Sequence, residues 1–226
     1  MMTGVPMPVA VICDLDGTLV DSARDIGLAL NRLLAERGRG VVTDAMVRRF
    51  IGDGARRLVE RGFAATGPVL PETETGAAVA RFLALYAGIP PDPACVYPGV
   101  PETLERLADA GHALGLCTNK PLAITRALLG GVGLSRFFGV VVGGDSLPQR
   151  KPAPEPLLAV TERLGRPAAG AVMVGDGPND VLAARAAGIG VIAVSYGYPR
   201  VAPAALAADL LIDRFADLPK ALHALA

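Results

Sequence analysis

Five short apolar runs limit what this chain can fold into more than any other feature: VAVIC (9–13), ALGLC (113–117), GVVV (139–142), AVMV (171–174) and GVIAV (190–194). Each is continuous rather than alternating, the pattern of a strand buried on both faces, and such strands belong to parallel sheets covered by helices. Helical patterns separate the last four runs. TLERLADAG precedes the second and LAITRALLGGVGL follows it; EPLLAVTERLG stops at Gly165 and DVLAARAAG at Gly188. A glycine just past the last helical turn is a common C-terminal stop. Strand and helix alternating in this way predict an α/β fold with a doubly wound parallel sheet and a Rossmann-like core.

The first run breaks the rhythm. About a hundred residues separate it from the second, too many for one crossover helix. Within that gap, residues 22–38, 43–62 (interrupted at GDG) and about 74–87 read as helical, and no comparable strand pattern occurs. We expect a small all-helical cap domain at 21–90, inserted into a catalytic core made of 1–20 and 91–226. The segment IPPDPACVYPGVP is then the proline-rich return linker.

Composition excludes several classes. Lys+Arg and Asp+Glu balance at 22 each, so there is no basic surface for nucleic acid. The apolar runs fall short of the ~18 residues that span a bilayer. The start, MMTGVPMPVA, has no basic region ahead of its apolar stretch and reads as no signal peptide. Cys13, Cys95 and Cys117 lack metal-site spacing; Cys13 and Cys117, each ending an apolar run, read as small buried thiols. A cytoplasmic protein, monomeric or a small homo-oligomer, is expected. The only histidines, His112 and His223, read as surface residues and leave histidine chemistry little to work with.

Open α/β sheets bind ligands at the carboxyl ends of their strands. The first run delivers Asp14 and Asp16 there, and the second Thr118 and Asn119. The loop after the third leads to Lys151-Pro152. The fourth delivers Gly175-Asp176, with Asp180 following in GDGPND. Converging carboxylates need a cation, and an all-oxygen donor set suits Mg²⁺. A lysine, a hydroxyl and helix N-termini suit a phosphate dianion. Together they point to phosphoryl transfer onto a carboxylate. Metal and lysine would keep Asp14 anionic while Asp16 carries a proton, so environment separates nucleophile from acid.

These residues resemble the haloacid dehalogenase superfamily of phosphatases. The signature is D-x-D-G-T at 14–18, Thr118-Asn119, Lys151-Pro152 and GDxxxD at 175–180, in the family's order and across the whole core. Longer stretches, YPGVPETLERLADAGHALGLCTNKP, GGDSLPQRKPAPEPLL and IGDGARRLVERG, are similar to the bacterial branch that hydrolyses phosphoglycolate. GDGPND departs mildly, because that branch often has serine after the first aspartate.

The resemblance implies the following roles. Asp14 attacks phosphorus and becomes an aspartyl phosphate. Asp16 protonates the leaving alkoxide and then deprotonates the hydrolytic water. The Asp14 and Asp176 carboxylates, with the Asp16 carbonyl, hold Mg²⁺. Thr118 and Lys151 bind the transferring group. Asp180 orients Lys151 or a metal-bound water. Asn119 and Gly17 line the substrate site. The implied reaction is hydrolysis of a small phosphorylated metabolite, 2-phosphoglycolate, to glycolate and phosphate. In the cap, GDGARR (52–57) reads either as a surface helix–turn–helix or as a substrate loop whose backbone amides, or Arg56, meet the glycolate carboxylate.

Competing readings have distinguishing marks. A sugar phosphomutase would retain the same core motifs but require a bisphosphate. A dehalogenase has no need of an acid at Asp16. A receiver-like phospho-acceptor would have no insertion over its aspartate. An EF-hand fails because Leu19 stands where that loop needs glycine. GDSL at 144–147 lies mid-chain with no D-x-x-H partner, so Asp145 and Ser146 read as shaping the loop that carries Lys151.

Overall fold

The computed structural model of the protein describes residues 9–198 and 201–225. Its sheet has six strands: β1 (Ala10–Cys13), β2 (Ala113–Cys117), β3 (Val140–Val142), β4 (Val172–Gly175), β5 (Gly190–Val194) and β6 (Leu210–Ile212). Their order is β3-β2-β1-β4-β5-β6, and all five pairings are parallel. The order reverses at β1, so a crevice opens beyond the carboxyl ends of β1, β2 and β4.

Four helices, α1 (Ala23–Glu36), α2 (Asp44–Phe50), α3 (Ala55–Thr66) and α4 (Glu72–Ala87), lie between β1 and β2. Among the described residues the remaining helices are α5 (Val100–Asp109), α6 (Leu122–Gly131), α7 (Glu155–Arg163), α8 (Pro178–Ala187) and α9 (Leu218–Leu225). Among the described residues, no helix is long and apolar enough to cross a membrane.

The continuous apolar runs are explained by burial on both sheet faces. Successive side chains of β1 point to opposite faces. Val11 and Cys13 join a core with Leu104, Leu107 and Leu222, while Ala10 and Ile12 join another with Leu157, Val160 and Ala184. The inserted helices have their own core, around Leu30, Leu33, Val59, Phe63 and Phe82. The outgoing and returning chains run side by side: Asp21 N–H donates to the Cys95 carbonyl at 2.7 Å, and Tyr97 N–H to that of Leu19 at 3.0 Å.

Two elements differ from expectation. Strand β6, at the sheet edge beside β5, was not among the expected runs: LLI lacks the β-branched run that marks the equally short β3, and its middle residue Leu211 is exposed. Helix α3 runs to Thr66, past the anticipated end at 62. The GDG interruption is real: α2 stops at Phe50 and α3 starts at Ala55, with Gly52 and Gly54 at φ 112° and 86°. Those dihedrals favour residues without a Cβ.

Candidate active site

Pairing of β1 with β4 places Asp14 beside Gly175, the residue that precedes Asp176; the Asp14 amide donates to the Val174 carbonyl at 2.9 Å. The chain then turns at Gly17, whose φ is +85°. A Cβ there would collide with the Asp176 carboxylate, so glycine is required for both conformation and space. Asp14, Asp176 and Asp180 each offer an oxygen, and all three oxygens lie within 4.8 Å of one another.

Lys151 is the cation of this cluster. It is 2% exposed. Its Nζ donates to the Cys117 carbonyl and to Asp180 Oδ1, each at 2.6 Å, and stands 3.0 Å from Asp14 Oδ1. The other Asp180 oxygen accepts from the Gly177 amide at 3.0 Å, in the first turn of α8. Asp180 therefore anchors Lys151 from the helix N-terminus. Thr118, buried at the end of β2, completes this side.

One lysine does not neutralise three acids. Burial, opposed by Lys151 but reinforced by the Asp180 and Asp16 charges, pushes the Asp14 carboxyl up to about 6. Burial, then the Asp180 and Asp14 charges, raise Asp176 well above the usual carboxylate range. For Lys151, burial works against the charge, but Asp14 and Asp180 outweigh it and raise its pKa. Among the described residues, no basic side chain forms an ion pair with Asp176. An added cation would relieve both acids, so the residues fit a divalent metal with oxygen ligands.

Asp16 sits apart from the cluster. Its carboxylate accepts from Ser22 Oγ and from Lys120 Nζ, the latter at 2.8 and 3.1 Å to its two oxygens. Lys120 is 7% exposed and lies 4.6 Å from the centre of the Tyr86 ring on α4. Burial again works against the charge, while Asp16 and Tyr86 together raise the Lys120 pKa. Sequence reasoning passed over Lys120, Ser22 and Tyr86. The available signal for Lys120 was its position directly after Thr118-Asn119, at the end of a strand.

Asp16, Lys120 and Tyr86 line a pocket of about 720 Å³, open solvent included, with the core acids on one side and Ile51, Leu58, Phe82 and Leu83 on the other. The GDG loop is tied to the core. Gly52 O accepts from Asn119 Nδ2 at 2.9 Å and from Asn179 Nδ2 at 3.0 Å. Asn119 Nδ2 also reaches the Lys151 carbonyl at 2.8 Å, so its amide clamps loop to core.

Arg56 does not reach this pocket. Its guanidinium donates to Glu60 at 2.9 Å and to Glu72, on the outer side of α3. Arg57 pairs with Glu60 at 2.7 Å. Acids one helical turn away, or on the neighbouring α4, hold both arginines outward. The structure thus differs from the expectation that Arg56 meets the substrate, while the loop's Gly52 and Gly54 do line the pocket.

The remaining polar candidates are structural. Asp145 accepts from the Leu122 amide at 2.8 Å and Ser146 Oγ from the Gly143 amide at 2.9 Å, which shapes their loop. Cys13 and Cys117 are buried, and burial pushes each thiol up to about 12. His112 is half-buried rather than a surface residue; it accepts from the Val9 amide at the opposite end of the sheet.

The family model for haloacid dehalogenase-like hydrolases matches residues 9–188. The phosphoglycolate phosphatase of Rhodospirillum rubrum is 50% identical over 216 residues, covering 94% of this chain and 90% of its own. That of Caulobacter vibrioides is 44% identical over 208 residues, covering 92% and 88%. A crystal structure from Haemophilus somnus, described as a predicted phosphoglycolate phosphatase, superposes with a TM-score of 0.88 at 32% identity, covering 96% of this chain and 99% of that one.

Proposed function

This chain belongs to the haloacid dehalogenase-like hydrolases, and we propose that it is a Mg²⁺-dependent phosphomonoesterase that hydrolyses 2-phosphoglycolate to glycolate and phosphate. The observation that carries the reaction type is the buried Asp14 carboxylate, 3.0 Å from Lys151 Nζ and clustered with Asp176. The substrate reading rests on the relatives of that name, which match nearly the whole chain.

In this reading Asp14 attacks phosphorus, and an Asp14 oxygen–phosphorus bond forms as the ester bond breaks. Thr118 and Lys151 hold the phosphoryl oxygens and balance their charge. Asp16 gives its proton to the glycolate oxygen. It then takes a proton from the water that attacks the aspartyl phosphate, which releases phosphate and restores Asp14. The Asp14 and Asp176 carboxylates and the Asp16 carbonyl would hold Mg²⁺, which would offset the crowded negative charge and polarise the phosphoryl group. Asp180 positions Lys151. Gly17 and Asn119 shape the substrate side.

Magnitudes favour such an assembly. Hydrolysis of a phosphate monoester can need acceleration up to ~10²¹, and a general acid contributes only about 10²–10⁴. Fixed charges and a covalent route supply the rest. We assign residues 21–90 as the cap that closes over the site, with 1–20 and 91–226 as the catalytic core. Three unpaired cysteines agree with a reducing, cytoplasmic setting.

The test is phosphate release from a panel of small phosphomonoesters with Mg²⁺, without added bisphosphate, by the parent and by Asp14→Asn. Phosphoglycolate should be the preferred substrate and Asp14→Asn should not turn over. A requirement for a sugar bisphosphate would instead indicate a mutase.

A further inference from the structure

Two lysines line the pocket, Lys120 and Lys151. Lys151 is tied to Cys117 and Asp180 and faces Asp14 at 3.0 Å, where it serves the transferring phosphoryl group. Lys120 has no part in the reaction as described, yet it is a buried cation held at the substrate's side of the site. It meets both Asp16 oxygens, and the Tyr86 ring covers it from α4. A lysine without a function beyond solvation would be exposed.

The shape of the proposed substrate gives that placement a meaning. In phosphoglycolate a single methylene separates the ester oxygen from the carboxylate. Asp16 is the residue assigned to the ester oxygen, so the cation bonded to Asp16 is already beside the position of the carboxylate. Among the described residues, no lysine or arginine other than Lys120 and Lys151 lines the pocket. Arg56 and Arg57 are held outward by Glu60 and Glu72. Arg61 pairs with Asp53 at 2.6 Å. Arg150 is exposed, with its guanidinium against Gly54, and is not among the pocket-lining residues. The wall facing the core is apolar at Ile51, Leu58, Phe82 and Leu83, and the loop at Gly52 and Gly54 adds backbone groups but no charged side chain.

We infer that Lys120 is the residue that reads the substrate's carboxylate, bridging it to Asp16, with Tyr86 of α4 holding the ammonium in place. The inference rests on the phosphoglycolate reading. It transfers to a strand-end lysine of the core the role that the sequence suggested for a cap arginine. An ammonium already buried beside Asp16 and Tyr86 binds a carboxylate without being newly desolvated, and such charge-assisted contacts are the strong ones.

The experiment compares phosphoglycolate with ethyl phosphate, which has a methyl group in place of the carboxylate. Lys120→Gln, close to isosteric, should lower the preference for phosphoglycolate (the ratio of the two kcat/KM values) by about tenfold or more, with much of the change in KM for phosphoglycolate. Lys120→Arg keeps the charge and should retain more of that preference than Lys120→Gln. Equal losses on both substrates, in a parent that does prefer phosphoglycolate, would show that Lys120 only supports Asp16. A ratio lost equally in the Arg and Gln variants would also overturn the assignment, since charge would not be what discriminates. A parent with no preference between the two substrates would refute the substrate reading itself.

Discussion

The Lys151 ammonium is 2.6 Å from Asp180, a residue of the first turn of α8, and both side chains are almost fully buried. The helix thus fixes the cation that also meets Asp14 at 3.0 Å. Removing one partner of a buried pair strands the other charge, at a cost of about 3–5 kcal/mol. Asp180→Ala should therefore lower the denaturant midpoint, with loss at the low end of that range because Lys151 keeps Asp14. Activity should fall too, because Lys151 is no longer held. An unchanged midpoint would mean that this pair does not anchor the lysine.

Asp16 gives a prediction that depends on the leaving group. If it protonates the departing oxygen, Asp16→Ala should slow phosphoglycolate hydrolysis by at least ~10². The loss should be smaller with p-nitrophenyl phosphate, whose leaving group scarcely needs a proton. Steady-state rates on both substrates decide it, and a greater loss on the nitrophenyl ester would count against the acid role.

Metal and pH are linked through Asp14 and Asp176. In the metal-free protein burial and neighbouring acids raise the Asp14 pKa from 3.8 to about 6, and Asp176 shifts in the same direction. The native state then binds more protons than the unfolded state between those values, so this cluster's contribution to stability falls as pH rises through that window. Mg²⁺ favours the ionised acids and should cancel the loss. The rise in Tm on adding Mg²⁺ should therefore be larger at pH 7 than at pH 5, and chelator should abolish turnover. A larger rise at pH 5, or full turnover in excess chelator, would be inconsistent with a metal on these carboxylates.

Arg56 is expected to be nearly silent. Its guanidinium is bound to Glu60 and Glu72 on the outer surface, where such pairs contribute little. Arg56→Ala should change kcat/KM for phosphoglycolate by less than about threefold. A selective loss of tenfold or so on that substrate would bring Arg56 back to the site, and would require α3 to turn when substrate binds.

The parts legible in the sequence were those with local causes. Burial on both faces makes strands such as Val11–Cys13 continuously apolar, and parallel pairing brings strand ends together, so the sequence alone assigns Asp14, Thr118 and Asp176 to one crevice. The GDG break announces itself through glycines at positive φ. Strand β6 was not expected because LLI lacks the β-branched run that marks the equally short β3, and its pairing with β5 comes from tertiary packing. The same limit applies to the cations. Arg56 and Lys120 are both basic residues beside a glycine-rich turn or a strand end, and their local signals, Glu60 one turn after Arg56 and a strand end before Lys120, do not by themselves say which one faces the pocket. Only the packing of α3 against α4 turned Arg56 toward Glu72. Likewise, only the meeting of α4 with the β1 and β2 ends enclosed Lys120 between Asp16 and Tyr86. Which charge faces the pocket depends on contacts between residues far apart in sequence, and those contacts exist only in the folded chain.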